Sequence, residues 1–240
     1  MSDKTINILY LYSHDMNIYG DHGNVLTLQK RLQWRGYKSE VIEYNQGDEF
    51  PNDIDIVVGG GGQDSGQNKI QEDLLLIGER LHELAEDGTP MLMICGLYQL
   101  FGRFFKTTEG DIIEGIGIFD AETHAGPERL IGNVTLDSKQ FGKVIGYENH
   151  SGQTFLGDDI QPLGAVRIGA GNNGSDGFEG ALFNNVIGSY LHGPLLPKNP
   201  AIADFLIETA IHRKFGEVKP HQLDDKLSDL ARKTAFKRPR

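Results

Sequence analysis

From Ile6 to Ile94 the chain repeats one pattern: a short apolar run, then a segment whose apolar residues recur at helical spacing. The runs are Ile6-Asn7-Ile8-Leu9-Tyr10-Leu11, the alternating stretch from Lys38 to Tyr44, Ile54-Asp55-Ile56-Val57-Val58, and Met91-Leu92-Met93-Ile94. Helical spacing covers Asn24 to Trp34, closed by Gly36, and Ile70 to Ala85, closed by Gly88-Thr89-Pro90. Strands alternating with helices of this length bury their apolar faces in a mostly parallel sheet covered on both sides, which predicts an α/β fold. At 240 residues and 38% hydrophobic content, one large core is expected rather than two small ones.

The pattern changes after Phe105. Between Gly110 and Ser189 short apolar runs are separated by Gly, Asn and Asp, including Gly171-Asn172-Asn173-Gly174, which predicts strands and hairpins. Pro200 to Lys214 carries the stripe of an amphipathic helix through Ile202, Phe205, Leu206 and Ile207. A single domain is expected over residues 1–215. Residues 216–240 form a polar, basic tail that reads first as a solvated or frayed end, and second as a contact for a partner or an anionic membrane.

Cys95 is the only cysteine, and it stands at the corner where the run Met91 to Ile94 stops and a helix-like segment, Gly96 to Phe101, begins. A strand turning abruptly into a helix lifts the corner side chain above the sheet, and the helix N-terminus favours thiolate over thiol. The local pattern alone favours an inert, buried small hydrophobe. A partner for the sulfur is found at Val186-Ile187-Gly188-Ser189-Tyr190-Leu191-His192-Gly193, which reads as a strand ending in a histidine. Only a single folded unit brings Cys95 and His192 within hydrogen-bond reach.

A net charge of -11 disfavours non-specific binding to nucleic acid. One cysteine excludes a disulfide framework. No apolar run reaches membrane length and no charged-then-apolar leader is visible, so a cytoplasmic location is expected. His14, His22, His124 and His150 are scattered singly, with no His-x-x-x-His pair, so no metal site is expected.

Hydrolysis of a side-chain amide by a thiolate needs a base that passes a proton to the departing ammonia and donors for the oxyanion. Cys95 is the candidate nucleophile and His192 the candidate base and then acid. The candidate oxyanion donors are the backbone N–H of Gly96 and of the Gly60 to Gly62 loop, centred on Gly61. The glycine run Gly59 to Gly62 follows a core strand directly, which favours function over a mere flexible turn.

With these elements the chain resembles the class I glutamine amidotransferases, whose elbow cysteine is followed four residues later by glutamine, as in Cys95-Gly96-Leu97-Tyr98-Gln99. Three motifs resemble the cobyric-acid-synthase-like branch: Tyr19-Gly20-Asp21-His22-Gly23-Asn24, Gly146-Tyr147-Glu148-Asn149-His150-Ser151-Gly152 and Gly188 to Pro194. Together with Gly171-Asn172-Asn173 and Leu195-Leu196-Pro197-Lys198-Asn199, they are most similar to free-standing glutaminase subunits of lipid II isoglutaminyl synthases, over about Ile6 to Phe215. The resemblance implies a flavodoxin-like class I fold, with a mostly parallel central sheet flanked by helices and additional antiparallel strands in the C-terminal half. It implies L-glutamine as substrate, held by Arg129 through its α-carboxylate, in a pocket lined by Gln99, Asn149 and His150. It further implies a MurT-like, Mur-ligase-related partner subunit that binds ATP and Mg, with lipid II reached through that partner, hence work at the inner face of the membrane. The chain itself lacks a Gly-x-x-x-x-Gly-Lys-Ser/Thr loop, so ATP chemistry is expected elsewhere.

Two departures from the wider family pattern stand out. Two residues after His192, where many members carry the acid that orients the imidazole, this chain has Pro194. A carboxylate supplied by the partner subunit is the expectation that follows. Met93 and Leu97 are also bulkier than the small residues common around such an elbow. Three rival readings are a stand-alone Cys-His hydrolase or deglycase, a non-catalytic binding module, and a glutaminase serving a corrinoid acceptor. Activity raised by a Mur-ligase-like protein separates the first from a subunit. Stoichiometric labelling of Cys95 by a glutamine-mimicking diazoketone excludes the second. The chain's length argues against the third, since the corrinoid enzymes resemble fusions of synthetase and glutaminase.

Overall fold

The computed structural model describes residues 4–216 and 223–237. The alternating half follows the sequence closely: β1 (Thr5–Leu11), α1 (His22–Trp34), β2 (Lys38–Tyr44), β3 (Ile56–Gly59), α2 (Asp64–Glu86), β4 (Met91–Ile94) and α3 (Gly96–Leu100). β3 and β4 are buried at every position, which is why they read as uninterrupted apolar runs instead of alternating ones. α2 begins at Asp64, ahead of the expected Ile70, because its first turns carry polar side chains, Gln67 among them, that face the functional cleft rather than the core.

The strand-rich half contributes β5 (Phe104–Lys106), β6 (Ile112–Glu114), β7 (Ala121–Ser138), β8 (Gly142–Leu156), β9 (Gly164–Ile168), β10 (Phe178–Glu179), β11 (Ala181–Phe183) and β12 (Val186–Ser189). These strands divide between two sheets. The central six-stranded sheet has the order β11-β12-β4-β3-β1-β2, and every pairing in it is parallel except β11 with β12. A second sheet runs β10-β9-β7-β5-β6, with β8 paired to β7 in a long antiparallel hairpin. Most of the antiparallel strands therefore form a sheet of their own instead of extending the central one.

The topology puts β12 beside β4, with Ser189 opposite Ile94, so the two chain segments that follow these strands emerge at the same edge. This is the carboxyl edge of the parallel strands, where open α/β sheets carry their ligands. Regular pairing of β12 ends at Ser189. The next three residues cross toward the second sheet, where His192 N–H donates to Tyr147 O at 2.8 Å. His192 is thereby tied to the second sheet by a backbone hydrogen bond and to the central sheet only through the chain that continues from β12.

α4 (Pro200–Phe215) covers the central sheet through Ile202, Leu206, Ile207 and Ile211. Within the polar, basic tail Lys226–Ala235 form helix α5, none of whose residues is buried. Just before it, Asp225 meets the buried Arg31 guanidinium at 2.7 Å, and Arg31 also grips Asp204 of α4 at 2.6 Å. A charge as deeply buried as Arg31 needs such partners, and they tie the tail to the body. Residues 217–222 and 238–240, including Arg238 and Arg240, lie outside the described residues.

Candidate active site

β4 passes into α3 through one residue. Cys95 takes φ 51° and ψ -103°, a conformation that side chains beyond glycine seldom adopt. It is held there from both sides, its N–H donating to Ser189 O at 2.8 Å and its carbonyl accepting Gln99 N–H at 2.9 Å. The bulk of Met93 and Leu97 is accommodated by Gly59. A Cβ on that glycine would lie 2.3 Å from Leu97 Cδ1 and 3.0 Å from Met93 Sδ, so the first glycine of the run makes room for the elbow.

His192 and Cys95 meet across Gly61. A Cβ built on Gly61 would stand 2.9 Å from His192 Cε1 and 3.1 Å from Cys95 Cβ, so the two side chains flank one glycine. His192 is buried. Burial disfavours its charged form, but the Cys95 sulfur and the Asp21 carboxylate outweigh that and push its pKa up to about 10. The imidazolium that results suits a proton donor to a leaving amine.

A carboxylate of this chain also lies near the imidazole. Asp21, fully buried, places Oδ1 3.6 Å from His192 Nδ1, an ion-pair separation slightly beyond hydrogen-bond length. The Tyr19 ring lies against the imidazole, with centroids 4.5 Å apart. Sequence reasoning singled out the Tyr19 to Asn24 loop but assigned neither side chain. The available signal was an acid in the loop that follows the first strand at the carboxyl edge of the sheet.

The oxyanion donors need one correction. Gly61 N–H is engaged, donating to Asp21 Oδ2 at 2.8 Å. Gly62 belongs to the same expected loop; its nitrogen lies 3.1 Å from where a Cβ of Gly96 would be, and it lines the cleft beside Cys95. Neither Gly62 N–H nor Gly96 N–H has a protein acceptor among the described residues. A pair of free amides beside the nucleophile is what a tetrahedral oxyanion requires.

A cavity of about 380 Å³ opens on Cys95. At its rim Arg129, on the irregular stretch of β7, donates from Nε to Asn149 Oδ1 at 2.6 Å and from Nη2 to the Tyr19 hydroxyl at 2.8 Å. The guanidinium is thus braced while remaining exposed to a ligand. Gln99 is committed to the floor: its oxygen accepts Gln67 Nε2 at 2.7 Å, and its nitrogen donates to the Tyr190 hydroxyl at 3.1 Å. It shapes the pocket through this network, and Gln67, missed in the sequence, shares the task. His150 stacks on Tyr190 with centroids 3.6 Å apart, and its Nδ1 lies 2.6 Å from Gly152 O, which assigns the proton to that nitrogen. Burial lowers the His150 pKa to about 4, so the ring is neutral near pH 7, and its Nε2 is buried. No group of three or more His, Cys, Asp or Glu placed to hold a metal ion occurs among the described residues.

This fold, with a cysteine at the strand-to-helix corner, is that of the class I glutamine amidotransferases. Two solved structures from Thermotoga maritima share it: PurLQS, with TM-score 0.60 at 14% identity over 86% of this chain and 99% of that one, and a glutamine amidotransferase, with TM-score 0.54 at 13% identity over 96% and 90%. Residues 7–200 match the CobB/CobQ-like glutamine amidotransferase domain, and the chain belongs to that family. It is 38% identical to the lipid II isoglutaminyl synthase (glutamine-hydrolyzing) subunit GatD of Staphylococcus aureus, over 97% of this chain and 96% of that protein. The corresponding subunit of Streptococcus pneumoniae is 36% identical over 96% and 94%. A probable cobyric acid synthase of Methanothermobacter thermautotrophicus is 32% identical, but the match takes in only 31% of that protein.

Proposed function

We propose that this chain is the glutamine-hydrolysing subunit of a lipid II isoglutaminyl synthase. The reading is carried by Cys95 and His192 flanking Gly61 above a cavity whose rim holds Arg129. The two relatives of matching length bear that activity in their names.

Arg129 binds the α-carboxylate of L-glutamine, leaving the carboxamide to reach Cys95. The Cys95 thiolate attacks the carboxamide carbon, and the oxyanion is received by Gly62 N–H and Gly96 N–H. His192 donates its Nε2 proton to the departing nitrogen, ammonia leaves and a thioester remains. Water then attacks the thioester while His192 takes a proton from it, releasing glutamate and restoring the thiolate. Asn149 braces Arg129, and neutral His150, stacked on Tyr190, forms part of the pocket wall.

Ammonia released into bulk water near neutral pH becomes ammonium, which is not nucleophilic, so the product must pass through a sealed interface. The receiver is a MurT-like, Mur-ligase-related subunit with ATP and Mg, which activates the D-glutamate α-carboxyl of the peptidoglycan stem peptide and yields D-isoglutamine. The chain would then work in the cytoplasm beside the lipid-linked acceptor; among the described residues no helix is long and apolar enough to cross a membrane.

The test is reconstitution with a Mur-ligase-like subunit, ATP, Mg and a lipid II acceptor. Glutamine-dependent amidation of the stem peptide is expected. Hydrolysis of peptides or removal of glycated adducts by the chain alone, without glutaminase activity in either state, would overturn the reading. Within this scheme Arg129→Ala is expected to raise KM for glutamine about 10- to 100-fold with a smaller change in kcat, since a carboxylate clamp acts mainly on ground-state binding. An unchanged KM in steady-state assays would remove the assignment.

A further inference from the structure

The loop between β1 and α1 is fastened to the oxyanion loop through a single glycine. Ile18 N–H donates to Gly61 O at 3.2 Å, and Gly61 N–H donates to Asp21 Oδ2 at 2.8 Å. Gly61 is also the residue that Cys95 and His192 flank. Tyr19 stands between the two anchors, so its backbone is located by the same glycine that separates nucleophile and base. Gly20, which follows, takes φ 76°, a conformation that favours glycine, and its N–H closes a turn on Asn17 O at 3.4 Å.

From this fixed backbone the Tyr19 side chain reaches two functional groups at once. Its ring lies against the buried His192 imidazole, with centroids 4.5 Å apart and planes inclined at 54°. Its hydroxyl accepts Arg129 Nη2–H at 2.8 Å, at the exposed rim of the cavity that both residues line with Cys95. The rest of the guanidinium is held by Asn149, whose Oδ1 accepts Nε–H at 2.6 Å and whose carbonyl accepts Nη2–H at 3.4 Å. Nε and Nη2 are thereby engaged, and Nη1 has no protein acceptor among the described residues. A planar fork braced on two sides is pre-organised for a carboxylate, since little freedom is left to lose when the ligand arrives.

Resting on the glutaminase reading, we infer that Tyr19 is a positioning residue with two separable duties: its hydroxyl sets the Arg129 guanidinium for the α-carboxylate of glutamine, and its ring holds the His192 imidazole in place beside Cys95. The phenol takes no part in bond making. It acts on binding through Arg129 and on turnover through His192, so the two halves of the side chain carry different kinetic signatures.

The experiment compares Tyr19→Phe, which keeps the ring, with Tyr19→Ala, which removes ring and hydroxyl together, each in the full chain assembled with its synthetase partner. Tyr19→Phe is expected to raise KM for glutamine roughly 10-fold, the weight of one hydrogen bond to a charged group, with kcat nearly unchanged. Tyr19→Ala is expected to show the same rise in KM and, in addition, a fall in kcat of about 10- to 100-fold, because the imidazole is free to shift from its reacting position. Rescue of kcat by phenylalanine, without rescue of KM, is a split that a residue serving only the fold does not produce. A double-mutant cycle isolates the clamp: in an Arg129→Ala background, Tyr19→Phe should leave KM where Arg129→Ala put it, since the bond it deletes is already gone. An unchanged KM in Tyr19→Phe, or effects on KM that add in the double variant, would overturn the duty toward Arg129. Wild-type kcat in Tyr19→Ala would overturn the duty toward His192; should that variant fail to fold, Tyr19→Phe and the cycle still decide the inference. These results would leave hydrolysis by Cys95 intact, whereas a lack of glutaminase activity in the unmutated complex would strike the underlying reading.

Discussion

Replacing Cys95 with alanine is expected to cut glutamine hydrolysis by roughly 10,000-fold or more, because the residual environment has no other nucleophile to form the thioester. The substitution also removes the sulfur that supports the imidazolium of His192. In the assembled complex the same variant should still amidate the acceptor when supplied with concentrated ammonium at high pH, where free ammonia is plentiful. The pair of outcomes separates the two half-reactions. Persistent hydrolysis would show that Cys95 is not the nucleophile. Failure of ammonium to support amidation, even at high pH, would show that the acceptor site receives nitrogen by some other route.

Gly61→Ala is the second large effect. The added methyl would stand 2.9 Å from His192 Cε1, 3.1 Å from Cys95 Cβ and 3.4 Å from Asp21 Oδ2. Gly61 does not have a positive φ, so alanine meets no backbone strain there and the conflict is confined to the site. A displacement of about 1 Å between reacting groups costs on the order of 100-fold in rate, so kcat should fall by at least that much. Stability should fall by only about 1–2 kcal/mol, since the imidazole can swing away from the intruding methyl. Kinetics and a thermal melt on one preparation check both halves. Near-normal kcat would mean that the two side chains do not operate across this glycine.

The parts of the molecule that pack by period were legible in the residues. β2 and β4 fall where alternation and apolar runs place them, and α1 and α4 follow their stripes to within a few residues. Cys95 and His192 stood out because each combines an unusual residue type with an abrupt change of local pattern, whereas Arg129 was singled out only by its match to the position of the family's substrate-binding arginine. What escaped notice depends on side-chain direction. Gln67 lies on the polar first turns of α2, where no apolar spacing marks the helix, and only its reach to Gln99 shows its purpose. Asp21 looks like an ordinary cap in sequence, and its turn away from the helix exists only in three dimensions. The engagement of Gly61 N–H follows from the same unseen carboxylate. In the tail, the pairing of Asp225 with Arg31 likewise had no signal in the sequence, because it joins residues far apart along the chain.

The corner at Cys95 has a consequence for how such a protein ages in evolution. With φ 51° and ψ -103°, its backbone sits in territory that costs a side-chain-bearing residue about 1–3 kcal/mol and glycine far less. The scaffold would be sturdier with its reactive group deleted, so selection for turnover alone keeps sulfur there. A descendant freed from hydrolysing glutamine, and kept only as a scaffold, would drift toward glycine at this corner and become harder to melt.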